Sequence, residues 1–165
     1  MRLVITGSPG TGKTSIAKLL ASKTNHKWIN EMEFALSKKI GFWDKNENEL
    51  VVPLSKLRKE LLKELSSKEN IIVEGHLLCE IKLPVDAVIL LRVDPEVLCE
   101  RLERKKYSAS KIADNVFCEG IDYCKKNLLR RYPQSKIIEI KNESNINDIV
   151  KNILVELKRR GIYAK

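Results

Sequence analysis

Leu3-Val4-Ile5-Thr6-Gly7-Ser8-Pro9-Gly10-Thr11-Gly12-Lys13-Thr14 decides the fold of this chain, because an apolar run leads at once into Gly-x-x-x-x-Gly-Lys-Ser/Thr. That spacing is a phosphate-binding loop. Glycines at both ends let the backbone curl with its N–H groups turned inward, and the helix that begins at Lys13 aims the positive end of its dipole at the same point. A triphosphate fits such a cradle, so Gly10, Gly12, Lys13, Thr14 and Ser15 are the expected ATP-binding positions. Lys13 would bridge the β- and γ-phosphates as a point charge, and the Thr14 hydroxyl would ligate the Mg2+ they carry. A Gly-rich turn with no ligand would not account for the strand before the motif and the helix after it.

Working outward, length and composition suit one enzyme domain, residues 1–165. A chain of 165 residues, 43% of them hydrophobic, can bury one sizeable core and has little left for a second. Met1 leads straight into a short strand rather than a signal peptide, and no run of about 18 apolar residues occurs, so a soluble, cytoplasmic protein is expected. Cys79, Cys99, Cys118 and Cys124 show no Cys-x-x-Cys spacing and no grouping with His26 and His76, which points to reduced thiols rather than metal or redox chemistry. The net charge of +9 suits polyanionic substrates and leaves RNA or a ribonucleoprotein surface open as a partner, beside the plainer reading of a solvated basic face.

Strand and helix signals alternate along the chain, the mark of a parallel sheet covered on both sides. Strands are expected at 2–6, 27–30, 70–74, 87–93 and 135–140. Helices are expected from Lys13 to Ser22, from Pro53 to about Ser66 with five leucines on one face, from Asp94-Pro95 to about Glu103, from Ser108 to Tyr132, and from Ile146 to Arg160. The region from Glu31 to Val52, with its acidic, Asn-rich piece, reads as a mobile insert. The fold class is therefore α/β: a three-layer phosphate-loop NTPase with a five-stranded parallel sheet.

A second site stands at Glu74-Gly75-His76, directly after the strand Ile71-Ile72-Val73. Ligands gather at the carboxyl ends of parallel strands, so Glu74 would come up beside the loop and hold the magnesium shell, through water. With Leu91-Arg92-Val93-Asp94, Arg101-Leu102-Glu103 through Tyr107, and Asp114-Asn115 with Cys118-Glu119 following in order, the chain resembles the small adenylate kinases of isoform-six type. These include archaeal members and the eukaryotic nuclear ATPase of ribosome assembly.

The resemblance implies a nucleoside monophosphate kinase-like fold, with a monophosphate-binding flap at about 30–53 and a short lid at about 103–113. It implies transfer of the terminal phosphate of Mg-ATP to AMP, with an ATPase side activity. A monomer is the expected state. Catalytic roles would fall to Lys13, His76 and Arg104. Arg104 and Lys105 would grip ATP from the lid; Lys105 stands at the family's arginine position, and Arg104 is the expected substitute because a planar fork holds phosphate bidentately. Lys38 or Lys39 would replace a flap arginine absent near Leu36. His76 would orient an attacking water, or merely cap a strand end. Trp28, Phe42 and Trp43 would line the base pocket or join the core, and the loop 142–145 would meet the adenine. An alternative function is an ATP-driven assembly factor that binds small-subunit ribosomal protein eleven and small-subunit rRNA, with Glu31, Glu33, Asp44, Glu47 and Glu49 as the contact patch. A shikimate-type small-molecule kinase is a further alternative, sharing the loop but not the later motifs.

Overall fold

The alternation of Leu3, Val4 and Ile5 along the first strand sorts the core into two layers, since successive side chains leave opposite faces of a strand. In the computed structural model, which describes residues 1–67 and 69–164, that strand is β1 (Arg2–Thr6), central in a five-stranded sheet. The elements follow as α1 (Lys13–Thr24), β2 (Lys27–Asn30), α2 (Glu31–Ser37), β3 (Phe42–Asp44), β4 (Glu49–Val51), α3 (Leu54–Ser67) and β5 (Ile71–Glu74). After a short 3-10 turn at Leu77–Glu80 come β6 (Ala87–Arg92), α4 (Pro95–Arg104), α5 (Ala109–Gly120), α6 (Tyr123–Leu129), β7 (Ile137–Lys141) and α7 (Ile146–Arg159).

The sheet runs β2-β5-β1-β6-β7, every pair parallel. Leu3 and Ile5 join Ile72, Ile89 and Leu91 beneath Ile16 and Leu20 of α1 and Ile149, Ile153 and Leu157 of α7. On the other face Val4, Val73, Val88 and Leu90 pack on Leu57, Leu61 and Leu65 of α3 and Leu128 of α6. Burial on both faces explains why these strands read as unbroken apolar runs, and it is the three-layer architecture expected from the sequence. Chain reversal in strand order falls at β1, so the carboxyl ends of β1, β5 and β6 open around one crevice. Among the described residues no helix is long and apolar enough to cross a membrane.

Two stretches differ from the sequence expectation. The region 31–52 is not irregular: it folds as α2 followed by an antiparallel hairpin, β3 with β4, pairing Phe42 with Val51 and Asp44 with Glu49. Asp44 Oδ1 closes the hairpin by accepting the Asn46 N–H at 2.8 Å, and Gly41, at φ 94°, lets the chain pass where a Cβ would meet the Val51 carbonyl oxygen at 2.2 Å. The expected single helix from Ser108 to Tyr132 is two helices. The break lies at Asp122, left-handed at φ 59°, where Arg92 takes the Glu119 carbonyl at 3.2 Å and the Asp122 carboxylate at 2.5 Å. Periodicity carries no trace of that long-range contact.

Candidate active site

The turn between β1 and α1 is wound as the glycine spacing demands. Gly10 and Gly12 sit at φ 88° and 89°, and a Cβ on Gly12 would meet the Asn142 amide at 2.5 Å. Gly12 caps α1 in a left-handed conformation with no side-chain hydrogen bond, so the first N–H groups of the helix stay available to an anion. Lys13 is buried and folds back to donate to the Ser8 carbonyl at 2.9 Å. Burial pushes its ammonium below the ordinary lysine range, and the carboxylates of Glu31 and Glu74 oppose that shift. A bound phosphate would add its negative charge to those carboxylates beside the buried cation.

The loop is braced from three sides. Ser8 Oγ donates to Glu119 Oε2 at 2.6 Å, and Glu119, 3% exposed, also accepts from Arg92 Nε at 2.6 Å. Arg92 reaches further to Asp122 at 2.5 Å and Glu139 at 3.2 Å. Arg101 of α4 donates to the Gly10 carbonyl at 3.5 Å and the Asn142 carbonyl at 3.1 Å, while Asn142 Nδ2 donates to the Thr11 carbonyl at 2.8 Å. Glu119 and Arg92 occur in the sequence motifs quoted above, yet nothing in their spacing assigns them this work. The signal that would have found Arg92 is its position at the end of β6, next to β1.

Glu74, 1% exposed at the end of β5, accepts the Thr14 hydroxyl at 3.0 Å and the Asn30 side-chain amide at 2.6 Å. Hydroxyl and carboxylate oxygens in contact are the hard donors Mg2+ prefers, and one or two protein ligands suffice when phosphates and water complete the shell. Among the described residues no group of three or more His, Cys, Asp or Glu forms a cluster able to hold a metal by itself. The residues therefore fit a metal that arrives with a nucleotide.

A cavity of about 850 Å3 opens beside the loop at Pro9. Its walls are α2 (Met32, Leu36), the hairpin (Trp43 to Leu50), His76, and the segment from Lys105 to Asn115. Lys111 spans the mouth, donating to the Glu47 carbonyl at 2.6 Å and pairing with Glu49 at 3.0 Å. Lys105 faces the cavity, whereas the Arg104 side chain is 79% exposed and pairs with Glu100 at 3.6 Å. Lys38 caps α2 and turns away to Glu64 at 3.7 Å and over the Phe34 ring, and Lys39 follows that cap at φ 55°; neither lines the cavity. Trp43 lines it and Phe42 is exposed, but Trp28 packs in the core under Lys18. Glu31 does not belong to a surface acidic patch: it is 2% exposed, accepts the Leu77 N–H at 3.0 Å and stands 3.0 Å from His76 Nδ1. Cys79 and Cys124, both buried, touch at 3.3 Å, and the hydrogen bond to the Cys124 sulfur, followed by burial, pushes the Cys79 thiol up.

Residues 3–122 match a family described as AAA domain. The chain is 34% identical over 162 residues to a protein of Thermococcus kodakarensis named "Putative adenylate kinase", covering 98% of this chain and 88% of that one. A protein of the same name from Pyrococcus furiosus is 36% identical over 162 residues, with 98% and 86% covered. Among solved structures, shikimate kinase from Aquifex aeolicus superposes with a TM-score of 0.68 at 21% identity over 99% of this chain and all of that one. Deoxyadenosine kinase from M. mycoides gives 0.64 at 16% identity, over 96% of this chain and all of that one. At those identities the likeness is one of fold: a phosphate-loop kinase framework. The loop, the Glu74-Gly75-His76 strand end and near full-length identity above 30% place the chain in one family: it belongs to the AAA-domain phosphate-loop proteins and, within them, to the adenylate kinase-type group of its archaeal relatives.

Proposed function

We propose that the chain is a nucleoside monophosphate kinase that moves the terminal phosphoryl group of Mg-ATP to AMP. The observation that carries the reading is the buried Lys13 of the phosphate loop, with a cavity opening beside that loop at Pro9 and walled across by the β3–β4 hairpin. The relatives named for adenylate kinase supply the acceptor class.

In this reading the first turn of α1 and Lys13 hold the β- and γ-phosphates, and Thr14 with Glu74 holds the metal. Bound Mg2+ would neutralise charge on the phosphate oxygens. The bond that breaks joins the γ-phosphorus to the oxygen bridging to the β-phosphate; the bond that forms joins it to an oxygen of the AMP phosphate. The attacking AMP oxygen is already anionic and the bridging oxygen leaves as an anionic oxygen of ADP, so no base is needed, and the task is positioning and neutralising the charge that builds on the leaving oxygen. Lys105 contributes from the lid. The elements α2 to β4 act as the flap and the turn after α4 as the lid, and the Lys111 bridge closes one on the other to keep water out. Hydrolysis, the side activity, would use His76 to orient a water where AMP is missing.

A second reading, ATP-driven handling of a small-subunit ribosomal protein, draws on the exposed Phe42 and Trp43 with Glu47 and Glu49 beside them. It requires the partner and AMP to compete. Coupled phosphotransfer from ATP to a panel of AMP, other nucleoside monophosphates and shikimate tests the first reading: AMP should be the best acceptor, and phosphorylation of shikimate alone would overturn it.

A further inference from the structure

Glu31 has no part in the reaction described so far, yet it is one of the most deeply buried charges among the described residues. It stands in the first turn of α2, just after Asn30, whose side chain caps that helix and also binds Glu74. From there the carboxylate crosses to the segment after β5. Both its oxygens accept the Leu77 N–H, at 3.0 and 3.1 Å, and Oε1 lies 3.0 Å from His76 Nδ1. The backbone is shaped to admit it. A Cβ on Gly75 would fall 1.9 Å from Glu31 Cδ and 2.1 Å from Oε2, while Gly75 is absent from the residues with positive φ. The glycine in Glu74-Gly75-His76 is therefore required by this carboxylate and not by any turn.

An imidazole whose Nδ1 faces a buried acceptor holds its proton there and leaves Nε2 bare. The His76 side chain is 39% exposed and lines the cavity, so the bare nitrogen has substrate space to address. Beside the ring stands Glu31 from α2, which with Glu74 from β5 also faces Lys13, and the cavity that His76 lines carries Lys105, Lys106, Lys111, Asp114, Glu47 and Glu49. Of these, Glu31 is the one the structure places in direct contact with the imidazole.

We propose that Glu31 is the positioning residue of His76, accepting its Nδ1–H and thereby fixing the tautomer and ring so that Nε2 is the acceptor at the cavity wall. Because Glu31 rides on α2, the ring is coupled to the position of the flap helix. The kinetic half of this proposal rests on the kinase reading above; the structural half does not.

The test is nitrogen-15 NMR of the histidine side chains in the full chain, at a pH where His76 is neutral, for wild type, Glu31→Gln and Gly75→Ala. The amide in Glu31→Gln keeps one acceptor oxygen where the carboxylate offered two, and Gly75→Ala displaces the same carboxylate from the opposite side. Wild type should show Nδ1 protonated and Nε2 bare, and both variants should shift toward the Nε2–H form that free imidazole side chains prefer. A wild-type His76 in the Nε2–H form, or the wild-type tautomer kept in both variants, overturns the proposal. In kinetics, ATP hydrolysis by Glu31→Gln should lose about tenfold in kcat with KM for ATP within about twofold, as for a residue that acts through another. A loss carried by KM would mark a general disturbance of the site and refute positioning. Wild-type protein with no hydrolysis would instead count against the water role of His76, and the tautomer would still decide Glu31.

Discussion

Replacing Arg92 by methionine removes the cation that holds Glu119, and the structure sets the size of the effect. Glu119 is 2% exposed at its side chain, and Arg92, 16% exposed, meets it at 2.6 Å. Without the guanidinium, the carboxylate keeps, among the described residues, the Ser8 hydroxyl at 2.6 Å and a long bond from the Val93 N–H at 3.4 Å. Breaking a buried pair from one side costs about 3–5 kcal/mol, because the remaining charge is left in a low-dielectric site. At roughly 2–4 °C of Tm per kcal/mol for a chain of this size, the midpoint should fall by about 10 °C. Pairing Arg92→Met with Glu119→Gln removes the stranded charge and should restore more than half of that loss, a coupling that a double-mutant cycle isolates. ATP affinity should drop in the single variant as well, since Ser8 is the loop residue that Glu119 holds. Circular-dichroism melts of the four proteins decide it. A single variant within 2 °C of wild type, by that estimate of about 10 °C, or strictly additive losses, would refute the buried-pair reasoning.

Lys13→Ala should leave the melting curve near wild type while abolishing phosphotransfer and weakening ATP binding at least about a hundredfold, measured by calorimetry; wild-type rates in a folded variant would remove the loop from the reaction. Lys105→Ala should lower kcat/KM more than Arg104→Ala, because Lys105 lines the cavity and Arg104 pairs with Glu100 in solvent; steady-state kinetics showing the reverse order would return the lid contact to Arg104. His26 should make stability pH-dependent. Burial holds its folded pKa below the ordinary value of about 6.5 and outweighs the bond of Nδ1 to the Thr24 carbonyl, which acts the other way; Nε2 is buried with no hydrogen-bond partner among the described residues. The unfolded chain then binds the proton more readily, so stability is full above that value and is lost as pH falls below it. Urea titrations at pH 7 and pH 5 should show His26→Gln with a shallower fall than wild type, and parallel falls would reject the assignment.

The loop, the five sheet strands and most helix starts were legible because each rests on local chemistry: glycine spacing, β-branched runs, and Asp94-Pro95 capping α4. The hairpin at 42–51 was not, since Phe42 and Trp43 are exposed and leave no alternation for a core face to impose. The break at Asp122 depends on Arg92, thirty residues earlier in sequence. Glu31 read as one more acid in a polar insert, yet Gly75, forty-four residues on, makes room for it against His76. Such pairings belong to the tertiary fold, and no period or motif announces them.

The most direct measurement of the central claim supplies the enzyme with Mg-ADP alone and follows the mixture by phosphorus-31 NMR. A nucleoside monophosphate kinase run in reverse converts two ADP into one ATP and one AMP, whereas a kinase for a small hydroxylated acceptor or a simple ATPase has no substrate there. The account predicts equal amounts of ATP and AMP appearing until equilibrium, with none formed by Lys13→Ala. ADP left unchanged by an enzyme that hydrolyses ATP, or that phosphorylates another acceptor, would contradict it.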